Sequence, residues 1–168
     1  CSVTKERLLT ADILRGLMDY DRFTGLFTWR SSVGGVIVGG VVGNVNSNGY
    51  MVVGIHGTKY RQHRLAWLYV NGEWPNGTID HIDGVRTNNA IANLRDVSQA
   101  INMQNMRKAT SASQSGILGV YFSQRRNGYM ASVTVGGSQK RRGPYRTADR
   151  AQVAYLDMKR QHHEGCTL

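Results

Sequence analysis

Apolar positions in this chain come in short bursts separated by glycine and polar turns, a pattern of small elements rather than long helices. Residues 10–20 (TADILRGLMDY) put Ile13, Leu14, Leu17 and Met18 on one helical face behind Thr10 as N-cap, predicting a short helix. Gly25 marks a tight turn, with Leu26, Phe27 and Trp29 as core anchors. Residues 31–48 read as a loop with a short strand at Val41–Val45. Asn48-Gly49 is a hairpin signal joining that strand to Tyr50–Ile55, and His56-Gly57 turns the chain into a strand at Tyr60–His63. Arg64–Val70 has the apolar spacing of a short buried helix, stopped by Asn71-Gly72.

Beyond the break at Pro75 and Gly77, Thr78–His81 reads as a strand and Gly84 to Asn89 as a polar loop. Leu94–Val97 is a further strand, and Ser98 caps a helix running to Met106. A polar Ser/Gln/Ala/Thr run then reads as a linker over residues 108–117. From Leu118 the pattern restarts. Val120–Gln124, Tyr129–Val135 and Arg141–Tyr145 are three strands parted by Asn127-Gly128 and Gly136-Gly137. Thr147 caps a last helix with Ala151, Ala154, Tyr155 and Met158 on its apolar face, Asp149 in its first turn and basic residues towards its end. The expected class is α+β, with residues 1–107 and 118–168 as two modules.

Composition sharpens this. The 168 residues carry 21 Lys and Arg against 11 Asp and Glu, a net charge of +10. Residues 1–100 hold 10 basic and 8 acidic side chains, and 101–168 hold 11 and 3, so the excess lies in the second part. A polyanion is the expected partner, nucleic acid by default, and the competing explanation is a merely solubilising surface. No apolar stretch approaches a membrane span, and residues 1–8 lack the pattern of a signal peptide. The two cysteines, Cys1 and Cys166, leave no disulfide framework or cysteine-ligated zinc, so a soluble protein of a reducing compartment is expected.

The residues suited to chemistry are Asp80, His81, Asn93 and Asn102. Adjacent strand residues face opposite ways, so Asp80 and His81 cannot share one role in a regular strand. A carboxylate and an amide oxygen (Asp80, Asn102) are hard ligands suited to Mg²⁺ or Mn²⁺, and a histidine is a competent base for a water nucleophile. Taken singly, Asp80-His81 would be an ordinary surface pair and Asn93 a turn residue.

The run from His63-Arg64-Leu65-Ala66-Trp67 through Asp80-His81-Ile82-Asp83-Gly84, Asn88-Asn89, Asn93-Leu94-Arg95 and Ile101-Asn102 to Asn105 resembles HNH endonucleases of the phage and intron-encoded homing type. The spacing is Asp-His, eleven residues, Asn, eight residues, Asn, and the resemblance covers about residues 8–107. It implies a ββα-metal nuclease that hydrolyses phosphodiester bonds of double-stranded DNA and leaves a 5′ phosphate and a 3′ hydroxyl. By the same resemblance His81 is the general base, Asp80 and Asn102 hold one Mg²⁺ or Mn²⁺ per active site, and Asn93 braces the loop that orients His81. His63 lies outside that spacing and reads as a packing or hydrogen-bonding residue preceding its helix. The implied setting is a phage protein acting in the bacterial host cytoplasm, without a small-molecule cofactor or membrane partner, as a monomer or homodimer on DNA.

The C-terminal part resembles the plant ethylene-response-factor type of DNA-binding domain. The matching residues are Gly119-Val120, Tyr129, Ala131, Val133, Gly143, Tyr145, Thr147-Ala148-Asp149, Ala151 and Ala154-Tyr155, with Arg141-Arg142 where that family has Trp-Leu. The resemblance implies a three-stranded sheet in the major groove. The DNA-contacting set is then Arg125, Arg126, Tyr129, Lys140, Arg141, Arg142 and Arg146, with Lys140 the expected phosphate contact and Arg125 or Arg141 the expected base reader. A DNA-binding regulator with an inactive nuclease half is the alternative, and a sequence-nonspecific nuclease a third reading.

Overall fold

A computed structural model describes residues 9–31, 37–104, 113, 115–163 and 166. The chain divides into two compact units, residues 1–99 and 100–168. Both mix helix and strand, as an α+β chain should.

The first unit begins with helix α1 (Ala11–Leu17), whose N-cap Thr10 accepts the Ile13 N–H through its side chain. The helix is shorter than its apolar spacing suggests. Met18 turns extended and starts strand β1 (Met18–Tyr20), which pairs antiparallel with β2 (Phe27–Trp29) in the register Met18 to Trp29. Sheet pairing therefore overrides the helical period, and it buries Met18 completely while leaving Ile13 42% exposed. Asp21 shapes the connecting turn by accepting the Phe23 and Thr24 N–H groups and the Thr24 hydroxyl.

A meander follows, made of β3 (Asn44–Val45), β4 (Met51–Ile55) and β5 (Thr58–Arg61) in that order. The strand expected at Val41–Val45 shrinks to its last two residues, and Val41 makes only an isolated bridge to Thr28. Between β3 and β4, Asn46 Oδ1 accepts the N–H groups of Asn48 and Tyr50 and so sets the hairpin tip. His56 and Gly57 both have positive φ, the conformation a two-residue hairpin turn requires.

The expected strand at Tyr60–His63 is corrected: β5 ends at Arg61, and helix α2 (Gln62–Asn71) starts at once. His63 is thus a first-turn helical residue. Gly72 closes α2 in the left-handed conformation. Antiparallel strands β6 (Thr78–His81) and β7 (Leu94–Val97) complete this unit, joined by a polar loop ending in a 3₁₀ turn at Ile91–Asn93. Leu14, Met18, Phe27, Leu65, Ala66 and Leu68 form the centre of its core.

The second unit opens with helix α3 (Gln99–Gln104), of which Gln99 still belongs to the first unit. Asn105 and Met106 of the expected helix, and most of the linker at 108–117, lie outside the described residues. Strands β8 (Val120–Ser123), β9 (Gly128–Val135) and β10 (Ser138–Tyr145) form a sheet with β9 central. Helix α4 (Ala148–His162), capped by Thr147, packs Ala151, Tyr155 and Met158 on Val120, Ala131 and Val133. Gly119 has φ +71°, and a Cβ there would lie 2.0 Å from the Tyr155 ring, so only glycine lets helix and sheet close at this point.

Candidate active site

Strand register decides where Asp80 and His81 point. Asp80 pairs with Arg95 across the β6–β7 ladder, and side chains of directly opposed residues share a face. They meet: Arg95 donates to Asp80 Oδ2 from Nε at 2.8 Å and from the terminal nitrogen at 2.7 Å. His81, one residue on, turns the other way into an aromatic and polar cluster. Its ring centroid is 5.1 Å from that of His63, edge to face, and 6.1 Å from Tyr50. Asp80 and His81 are 6% and 5% exposed, which rules out the ordinary surface pair.

Asn89, itself 1% exposed, places Oδ1 3.2 Å from His81 Nε2. With an amide oxygen as partner, Nε2 carries the ring proton and the lone pair falls on Nδ1. Burial is the largest influence on His81 and holds its pKa below the usual histidine value, opposed by the Asn89 hydrogen bond and the nearby Asp83 and Asp80. The ring is therefore neutral, able to accept a proton, at neutral pH.

Asn93 braces the loop behind His81. Asn93 Oδ1 accepts the Asp83 N–H, and Nδ2 donates to Asp83 Oδ1 and to the Asn88 carbonyl. Its backbone carbonyl accepts the Ile82 N–H, next to His81. The N-terminal hairpin reinforces the far end of this loop. Tyr20 donates its hydroxyl to the Asn89 carbonyl at 2.7 Å, and Ile91 N–H donates to the Arg22 carbonyl. Gly25, at φ +74°, sits so close to Asn89 and Ala90 that a Cβ would lie 2.2 Å from the Ala90 nitrogen.

The metal question turns on donor chemistry. Among the described residues no three His, Cys, Asp or Glu side chains converge. Mg²⁺ does not need them, since it retains several waters and is commonly held by one or two carboxylates together with substrate phosphates. A carboxylate at Asp80 and an amide at Asn102 suit that ion and would suit zinc poorly. Asn102 is half-buried on α3, in the second unit.

A curated relative, "Protein 3.8" of Escherichia phage T7, is 36% identical over 107 residues, covering 62% of this chain and 85% of the relative. The family model described as HNH endonuclease matches residues 60–104. The chain carries an HNH endonuclease domain. A solved structure described as "DNA binding and cleavage by the HNH homing endonuclease I-HmuI" aligns at 24% identity over 89% of each chain, with a TM-score of 0.44.

The HNH match runs from the end of the meander through α2, the β6–β7 hairpin and α3, and so takes in Asp80, His81, Asn93 and Asn102. Asn105 lies outside the described residues. The structure adds His63 and Asn89, which spacing alone passed over. Both lie in short polar runs where sequence offers no sign of burial, yet both side chains are buried and aimed at His81.

His63 has its own consequence. Burial first, then the positive charge of His81, Arg61 and Arg64, pushes its pKa down to about 3. The unfolded chain takes up this proton near the ordinary value of 6.5, so His63 costs nothing above that pH. Below it, the unfolded state binds the proton first, and stability falls as pH drops from 6.5 towards 3. His63→Leu is expected to flatten that fall, measured as melting temperature at about pH 7 and about pH 4. Its Nδ1 has no hydrogen-bond partner among the described residues, so replacing that atom costs no bond.

In the second unit, register sorts the seven DNA-contacting residues named from sequence. Lys140 and Arg142 pair with Val133 and Ala131, the residues under α4. Accordingly Arg142 binds Asp157 at 2.6 Å and Gln161 at 3.0 Å, and Lys140 Nζ lies 3.5 Å from His162 Nε2. Arg141 pairs with Ser132, falls on the opposite face of the sheet and is exposed. Arg125 and Arg126 form the turn between β8 and β9, and Arg146 is exposed just after β10. Tyr129 packs against the sheet–helix core and edge-on to Phe122.

Proposed function

We propose that this protein is a divalent-metal-dependent endonuclease of double-stranded DNA, of the site-preferring homing type, acting in the host cytoplasm as a monomer or homodimer. The observation that carries the reading is a buried, neutral His81 held by Asn89 at the end of β6, beside Asp80, inside an HNH domain. His81 accepts the proton of the attacking water at Nδ1, while the Nε2–H bond to Asn89 keeps the ring in the required tautomer. Asn93 keeps the loop after His81 closed on Asp83 and Asn88, which fixes the strand end that carries the base. Arg95 holds the Asp80 carboxylate in position through two hydrogen bonds to Oδ2. Asp80 would hold the cation, which when bound supplies positive charge to the scissile phosphate and the leaving oxygen. Cleavage products ending in a 5′ phosphate and 3′ hydroxyl, sealed again by DNA ligase, are expected. Products that ligase cannot seal, or cutting undiminished by a chelator, would count against the reading.

The second unit, 100–168, is proposed as the DNA-holding part, of the ethylene-response-factor type, through the sheet face that carries Arg141. The net charge of residues 101–168 and the exposure of Arg125, Arg126, Arg141 and Arg146 support it. Arg141→Ala should reduce the salt slope of duplex binding (log affinity against log salt) by about 0.9, as loss of one phosphate contact does. Should Arg141 read a base instead, the loss is about 1–3 kcal/mol on the preferred site and small elsewhere. Arg142→Ala should leave the slope alone and lower the melting temperature, because its partners are Asp157 and Gln161.

A further inference from the structure

Beside His81 the first unit carries a pair of cations that the residues discussed above do not use. Tyr50, just before β4, has the Arg61 guanidinium 4.9 Å and the Arg86 guanidinium 5.0 Å from its ring centroid. The two arginines come from separate places, Arg61 from the end of β5 and Arg86 from the loop between β6 and β7. The same ring lies 5.2 Å from His63 and 6.1 Å from His81. Both arginines are exposed, and neither forms an ion pair among the described residues. Arg86 is also fixed in place, donating to the Asn48 carbonyl at 2.7 Å on the hairpin tip that Asn46 shapes.

Two like charges converging on one aromatic ring repel each other, and exposed cation–π contacts return only about 0.5–1 kcal/mol each. An anion between or over them removes the repulsion. Guanidinium groups match phosphate oxygens geometrically, and stacking on an aromatic face leaves their edge donors available. The distance scale places such an anion next to the ring that takes the proton from water.

We infer that Arg61 and Arg86, stacked on Tyr50, form a clamp for a backbone phosphodiester at or next to the scissile bond. The inference rests on the nuclease reading above, whose Asp80 and His81 it supplements. The clamp orients the phosphate relative to His81 and offsets charge that develops on its oxygens. Tyr50 is the platform, and it acts through its ring face.

The test uses the full chain and a duplex of about three helical turns, in two arms. In the first, His81→Ala keeps the DNA intact while affinity is titrated against salt, with and without Arg61→Gln or Arg86→Gln. Each glutamine should make the slope shallower by about 0.9. In the second, the same glutamines in the otherwise native protein should lower the single-turnover rate at saturating duplex by about 10- to 100-fold, and lysine at either position should restore part of it. Unchanged slope and rate in both glutamine variants would overturn the clamp. So would a fall in rate with an unchanged slope and a lowered melting temperature, which would make these arginines structural. If the parent protein cuts no DNA, the nuclease reading fails by itself, while the binding arm still decides whether the pair holds phosphate.

Discussion

His81→Ala is expected to reduce DNA cleavage by about 10²- to 10⁴-fold while duplex affinity changes little, the range a general base contributes. The argument runs through the chemistry of one ring. His81 is buried, kept neutral by that burial, and oriented by Asn89, none of which a residue needs merely to touch DNA. Alanine leaves a gap beside His63 and Tyr50, so the variant must be checked for a native circular dichroism spectrum and melting transition. His81→Gln, which fills more of the gap but is no base, should fail in the same way. Parent-like cleavage by either variant contradicts the assignment. A loss of binding as large as the loss of cleavage would show that His81 serves the fold or the DNA contact instead.

The second large effect is expected at Asn93. Its side chain closes the loop with three hydrogen bonds, to the Asp83 N–H, the Asp83 carboxylate and the Asn88 carbonyl. Asn93→Ala removes all three and leaves the part-buried groups of Asp83 and Asn88 short of a partner, at a cost of about 2–3 kcal/mol in stability. The same loop runs from His81 to Asn89, so its loosening releases both the base and its orienting amide. Cleavage should fall by about 100-fold at a temperature where the variant is still folded. Asn93→Asp preserves the oxygen that accepts the Asp83 N–H, but places a second carboxylate against Asp83 and should not rescue. Single-turnover rates beside denaturant melts separate the two contributions. A stability loss with an unchanged rate would confine Asn93 to the fold.

The elements of the site were legible because its residues lie close together in sequence and their spacing matches their structural period. Thr78–His81 and Leu94–Val97 are strands as read, and the alternation that separates Asp80 from His81 is what sends one to Arg95 and the other to His63. What could not be read was tertiary. Nothing local marks Asn89 as buried, because it is buried by Tyr20 and Gly25, which lie far back in the chain. The helix that carries His63 starts earlier than its spacing suggests because β5 and α2 abut without a turn, leaving no Gly, Pro or Asn signal between them. Met18 shows the same limit from the other side, since its helical spacing is overridden by pairing with Trp29. In the second unit, composition announced the charge, but only register shows that Lys140 and Arg142 lie towards α4 and Arg141 away from it.

The central claim is that this chain hydrolyses DNA with a divalent cation, and incubation with supercoiled plasmid tests it most directly. Purified protein is mixed with plasmid in Mg²⁺, in Mn²⁺ and in excess chelator, and the products are resolved on agarose. The expected result is conversion to nicked or linear plasmid with either cation, none with chelator, and conversion slowed by about 10²- to 10⁴-fold with the His81→Ala protein. Supercoiled plasmid left intact by the folded parent protein in both cations would contradict it.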